Sequence, residues 1–194
     1  KQKPKSSTRS KIIAVLIITG VISVVSLNQT VKDRTHLAYV EASNWLSGDK
    51  SPNSVSLRLE MYRIAIDNIE DVPFFGHGYR TSNIVVYKNT PARFQNYVVS
   101  YNHLHNAYLT SYFNGGIVLL GALLLLLFVP FRIFIKENIQ NRDNPVFIAG
   151  VLLTVGYASY GMVNILFGDV FMNAFYVFFM AIFLMQTAKL TKAS

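Results

Sequence analysis

Ile117-Val118-Leu119-Leu120-Gly121-Ala122-Leu123-Leu124-Leu125-Leu126-Leu127-Phe128-Val129-Pro130-Phe131 is the stretch that decides the fold. It is the densest apolar part of an uncharged run from Asn106 to Phe131. A helix of roughly 20 apolar residues crosses the hydrocarbon of a bilayer, and this run exceeds that length. Three further uncharged runs accompany it: Ile12–Leu27, Val146–Gly168 and Val170–Ala188. The chain as a whole is 52% hydrophobic and 14% charged, whereas a soluble domain carries about a quarter charged residues. Its 14 Phe and 11 Tyr residues exclude a disordered chain. The absence of Cys excludes a disulfide framework, a thiol nucleophile and a Cys-based metal site. The composition reads as an all-α integral membrane protein.

The positive charge supplies the topology. Lys1, Lys3, Lys5, Arg9 and Lys11 precede the first run, Arg132 and Lys136 follow the second, and Lys189 and Lys192 follow the last. Basic residues near span ends mark the cytoplasmic side. The expected order is a basic cytoplasmic flank at 1–11, a span at 12–27, and a long outside segment at 28–104. A span at 105–131, a cytoplasmic loop at 132–145, spans at 146–168 and 170–188, and a cytoplasmic tail at 189–194 complete it. A signal peptide at 12–27 fits less well, because no small-residue cleavage site follows the run. The net charge of +8 is not read as a nucleic-acid patch, since the basic clusters flank apolar runs instead of forming one face. The chain begins with Lys1, and the expectation is that it is the later part of a longer protein.

The outside segment 28–104 is too long for a mere connection, and it holds eight Lys/Arg against seven Asp/Glu. Val55, Leu59, Tyr62, Ile66 and Ile69 recur at helical spacing, which predicts an amphipathic helix over about 54–71. Pro52-Asn53-Ser54 supplies its start and Pro73 its stop. Pro73-Phe74-Phe75-Gly76-His77-Gly78-Tyr79-Arg80 reads as a tight turn. Residues 84–101 are β-prone but interrupted by Pro91, and are read as loop. The Gly115-Gly116 pair and Gly121 suit close helix packing, and Pro130 marks a kink or a span end.

Two arginines on the helix differ in their neighbours. Arg63 has Glu60 and Asp67 at i−3 and i+4, which predicts a surface ion pair. Arg58 has no acid at those positions, so it requires an anion from elsewhere: a lipid phosphate, a diphosphate substrate or a distant carboxylate. His103-Leu104-His105-Asn106 stands where the outside segment meets the second span. Two histidines there admit a metal pair, a structural cap, or one imidazole acting as a general base. No third ligand follows at metal spacing, and the reading is of a site without metal or other cofactor. Asp169, at the outer edge between the last two runs, either faces the same cleft or caps a helix.

Ser56-Leu57-Arg58-Leu59-Glu60-Met61-Tyr62, followed by Pro73-Phe74-Phe75-Gly76-His77-Gly78, resembles the "R-x-x-x-(aromatic) … P-hydrophobic-hydrophobic-G-x-G" stretch of the O-antigen ligase family. His103-Leu104-His105-Asn106-Ala107-Tyr108-Leu109, then Asn114-Gly115-Gly116-Ile117, resembles that family's "H-x-H-N-x-hydrophobic-L … G-G" start of a membrane helix. The likeness covers residues 54–125. It implies an inverting, metal-independent glycosyltransferase at the periplasmic face of a bacterial inner membrane. Such an enzyme moves an oligosaccharide from undecaprenyl diphosphate to lipid A-core, to another carrier-linked glycan or to a protein hydroxyl. By position, Arg58 matches the arginine expected to hold the diphosphate, and His105 the histidine expected to deprotonate or orient the acceptor. Arg80, His103, Asn106 and Asp169 are secondary candidates for substrate contact. Tyr62 stands where the family often has Trp. The family's second arginine is not located in this stretch, so the stretch alone is expected to lack activity.

The reading from another class is a transporter or a non-catalytic membrane scaffold of the same pathway. Transport would place polar or charged groups near the bilayer centre. The runs offer Asn164, Asn173 and scattered Ser and Thr. The topology is open to test because the chain lacks Cys. A single cysteine introduced at position 50 is expected to react with an impermeant thiol reagent in cells with a permeabilised outer membrane, and one at position 140 is not. Reaction at 140 alone would invert the assignment.

Overall fold

The computed structural model describes residues 26–49, 51–98, 101, 103–140, 144–166, 168 and 170–193. The basic flank 1–11, residues 12–25 of the first apolar run, and Asp169 lie outside the described residues. Two compact units are present, Lys1–Ser56 and Leu57–Ser194. In the first, helix α1 (Gln29–Leu46) starts on Asn28, whose side chain accepts from the Val31 amide, and none of its side chains is buried. This helix lies in a stretch without a predicted element. A polar helix without an apolar stripe carries no periodic signal.

Helix α2 (Ser54–Asp67) opens where the asparagine signal places it. Asn53 Oδ1 accepts from the Val55 amide at 3.1 Å and the Ser56 amide at 2.8 Å, satisfying donors that the first turn leaves free. The helix stops four residues short of 71, because the Asn68 side chain donates to the Ile64 carbonyl at 2.8 Å and a turn follows. Its buried face is also not the expected one. Leu57, Met61, Ile64 and Ala65 enter the core, while Ile66 and Ile69 are exposed. Both faces carry apolar side chains, so periodicity could not say which one the protein would cover. Arg63 meets the expected partners, Glu60 and Asp67, each at 2.7 Å, but Glu60 is buried and the pair is not wholly on the surface.

The stretch read as β-prone loop is helical: α3 (Ser82–Asn89) and α4 (Ala92–Val98). Pro91 separates them and starts the second, its carbonyl accepting from the Phe94 amide at 2.8 Å. Val86, Phe94 and Val98 point into one small core with Leu57, Met61, Ile64, Leu104 and Phe113. Tertiary burial on one side decided against β propensity.

Helix α5 (Ala107–Gln140) is 34 residues long and contains the apolar run. It continues through Pro130, and its break falls at Gly115 and Gly116, where the latter has φ 62° and ψ −157°. Such a break frees carbonyls that would otherwise bond within the helix. The Pro73–Gly78 turn takes them up: His77 N–H donates to the Phe113 carbonyl at 2.8 Å and Gly78 N–H to the Asn114 carbonyl at 3.0 Å. The two backbones touch, so that a Cβ on Gly116 would collide with the Phe74 carbonyl oxygen. Gly121, by contrast, faces open space.

Helix α6 (Pro145–Gly161) packs along α5, and α7 (Val170–Ala193) along α6. Phe134 lies against Gly150, and Tyr176 O–H donates to the Leu126 carbonyl at 2.8 Å. Small residues and carbonyl-directed hydroxyls are how helices meet in lipid. Residues Ala107–Glu137 and Val170–Leu190 are long and apolar enough to cross a membrane. Most of their side chains point outward, Leu124, Leu125, Phe128, Val177 and Phe178 among them, unlike the core helices of a soluble protein. Helix α6, with 17 residues, is shorter than the expected span 146–168. Among the described residues no strand occurs. Among the described residues the architecture is all-α, with two helices long and apolar enough to cross a membrane where spans at 105–131 and 170–188 were expected.

Gly116→Ala is expected to destabilise the intact protein by at least about 1–3 kcal/mol, since a left-handed backbone without glycine alone costs that much. Gly121→Ala should be neutral or slightly stabilising. Thermal unfolding in detergent separates the two, and equal effects would remove the contact's structural importance.

Candidate functional site

Helix α2 and the approach to α5 are joined by one side chain. Tyr62 O–H donates to the His105 carbonyl at 2.6 Å, with the Met162 carbonyl at 3.3 Å as the other acceptor in reach. Asn106 caps α5 by accepting from the Tyr108 and Leu109 amides, both at 3.0 Å. Its amide nitrogen donates to Met162 at 3.1 Å. Between these two anchors His105 is held at φ 49°, a left-handed conformation that costs energy outside glycine and gathers at functional sites.

The two histidines are neighbours in space. The His103 and His105 rings stand edge to face with centroids 4.5 Å apart, and Tyr101 packs against His105 at the same distance. Burial holds His103 below the usual imidazole value. Burial, reinforced by the charges of His103 and Arg58, depresses His105 to about 4. Both rings are therefore neutral near pH 7, and each keeps an accepting nitrogen. Nδ1 of His103 is buried without a hydrogen-bond partner among the described residues. Burial raises the Tyr62 hydroxyl against the opposing charge of Arg58, so it remains a donor.

Arg58 thus lies near enough for its charge to act on both Tyr62 and His105. It forms no ion pair with an acid among the described residues, in contrast to Arg63. Arg80 goes elsewhere. It lines a cavity of about 560 Å³ together with His103, Thr110, Asn114 and a leucine-rich wall from α5, a cavity that Arg58 and His105 do not line. On the other side, a groove of about 640 Å³ begins at Tyr62, Ile66 and Asn106. It shares Tyr108, Leu124, Ala158 and Ser159 with an apolar groove of about 510 Å³ that reaches Phe131. The structure therefore brings Arg58, His105, His103 and Asn106 into one neighbourhood and sets Arg80 on the His103 side. Asp169 lies outside the described residues.

The role of Tyr62 went unread in the sequence, although its position one turn after Arg58 was the available signal. The Met162 carbonyl carried no signal, since backbone acceptors are invisible in a residue pattern.

A helical protein with helices long and apolar enough to cross a membrane is the class these features define. Residues 2–125 match the family described as O-Antigen ligase, and the chain belongs to that family. It is also 26% identical over 152 residues, 77% of its length, to an uncharacterized protein of Haemophilus influenzae (strain ATCC 51907 / DSM 11121 / KW20 / Rd). The match covers 38% of that relative. No solved structure matches.

The depressed His105 predicts a pH dependence. The unfolded chain takes up this proton near 6.5 and the folded one near 4. This contribution to stability is complete above about pH 6.5 and is lost as the pH falls toward 4. Unfolding measured across that range should lose part of its slope in His105→Gln. An unchanged slope, or an imidazole NMR titration at the ordinary value, would contradict the buried neutral ring.

Proposed function

We propose that this chain carries the reacting face of a membrane glycosyltransferase that moves an oligosaccharide from undecaprenyl diphosphate to an acceptor hydroxyl. The reaction takes place at the periplasmic face of the bacterial inner membrane, in surface-polysaccharide assembly. The observation that carries this reading is the half-buried His105, held at φ 49° between the Tyr62 hydroxyl and the Asn106 cap, with the charge of the acid-free Arg58 acting on it. Family membership supports it.

In this reading His105 accepts the acceptor's O–H proton as the oxygen attacks the anomeric carbon from the face opposite the diphosphate. The bond from that carbon to the diphosphate oxygen breaks with inversion. The electron pair leaves with the diphosphate, where Arg58 meets the charge with its bidentate fork. A base near 4 is always free but pulls weakly. A diphosphate beside Arg58 offsets one of the charges that depress His105, which raises its basicity when the donor is in place. The acceptor is lipid A-core sugar or a second carrier-linked glycan, and no metal or nucleotide sugar takes part.

Transfer of carrier-linked glycan by the purified intact protein, with excess chelator present, tests the assignment. His105→Ala should lower the rate by about 10²–10⁴ without loss from the membrane fraction, and His103→Ala should cost much less. Arg58→Lys should impair transfer far more than Arg63→Lys, because a diphosphate draws on the planar guanidinium fork, whereas a lysine at 63 keeps the charge beside Glu60 and Asp67. Full activity of His105→Ala, or inhibition by chelator reversed by added metal, would end this mechanism.

A further inference from the structure

The Pro73–Gly78 turn plays no part in the reaction above, yet it carries an unusual surface. Phe74 is 65% exposed and Phe75 72%, and their rings meet edge to face at 4.9 Å. Two adjacent exposed phenylalanines on a rigid turn are what a soluble surface avoids. The turn is rigid because its amides bond the Phe113 and Asn114 carbonyls and the Phe74 carbonyl lies against Gly116. The ring pair is therefore fixed in height along α5, beside the residues that immediately precede Ile117, Val118 and Leu119. Those three side chains are themselves exposed and begin the apolar run of a helix long enough to cross a bilayer. The medium that covers them reaches the ring pair as well.

Charge identifies the same partner. From Val72 to Val98 the chain carries Arg80, Lys88 and Arg93 and no Asp or Glu. Tyr79 and Tyr97 are exposed in this stretch, and the Arg80 guanidinium lies 5.3 Å from the Tyr79 ring centre. Aromatic rings beside basic groups suit the boundary between acyl chains and anionic headgroups. An apolar protein partner would need no such excess of positive charge.

We propose that Phe74 and Phe75 form a wedge inserted among the lipids of the membrane that α5 crosses, with the acid-free stretch behind them on the headgroups. The wedge sets the depth at which the segment up to His105 is held. This inference rests on α5 as a span and not on the glycosyltransferase reading.

The test uses the intact protein, freed of any cysteines, with one cysteine in place of Phe75 and a polarity-sensitive fluorophore attached. It is reconstituted in vesicles of phosphatidylcholine and phosphatidylglycerol. A nitroxide on the upper part of the acyl chain should quench the label at Phe75 severalfold more than one at Asn89, and aqueous iodide should do the reverse. Quenching by iodide alone would place the turn in water. Protection from both quenchers would mean that protein, such as another part of the chain or a second copy, covers it. Either result overturns the proposal. If the labelled protein does not reconstitute, Phe75→Trp compared with the parent in brominated lipid asks the same question.

Discussion

Two backbones meet where Gly76 crosses Gly116, and that contact joins the polar segment before α5 to α5 itself. A helix that breaks near a membrane leaves carbonyls that nothing apolar can satisfy. Here the amides of His77 and Gly78 take the carbonyls of Phe113 and Asn114. The Asn114 side chain accepts from the Ser82 amide at 3.0 Å, which extends the junction to the start of α3. A side chain at either glycine would push the turn away and leave those groups unpaired. The polar residues above the span are therefore fastened to the span itself, by backbone more than by side-chain packing.

That fastening gives the site its geometry. The short apolar core formed by α2, α3, α4 and the top of α5 places Leu57 and Met61 inward, which leaves Arg58 and Tyr62 toward the edge of that core. Tyr62 then reaches the His105 carbonyl, and Asn106 ties the same strip to Met162 at the end of α6. Held from both sides, His105 accepts a backbone conformation that a free loop would abandon. Half-buried and close to a fixed positive charge, its ring stays neutral. Position and protonation thus have one cause, the crowding of the loop between two helices.

The grooves on the two sides of α5 differ in character. The Tyr62 and Asn106 side opens onto an apolar track along α5 and α6. The His103 and Arg80 side opens onto a cavity with a polar end and a leucine-rich end.

Residue order alone was enough for the membrane class, the positions of the apolar runs, the start of α2 and the Arg63 ion pair, and it named Arg58 and His105 as candidates. These are local properties, carried by composition, by spacing along one helix or by a motif. It also carried the family, since residues 54–125 bear the motifs and the family match spans residues 2–125. Tertiary contacts settle which face of α2 is buried, that residues 82–98 are helical, that α5 breaks at Gly115–Gly116 and not at Pro130, and that Arg80 and His103 share a cavity while Asn106 lines the opposite groove. Each of these depends on groups distant in the chain. A helix with two apolar sides has no preferred inner face until a neighbour covers one. A helix can break at a glycine pair only where another segment's amides satisfy the carbonyls it exposes.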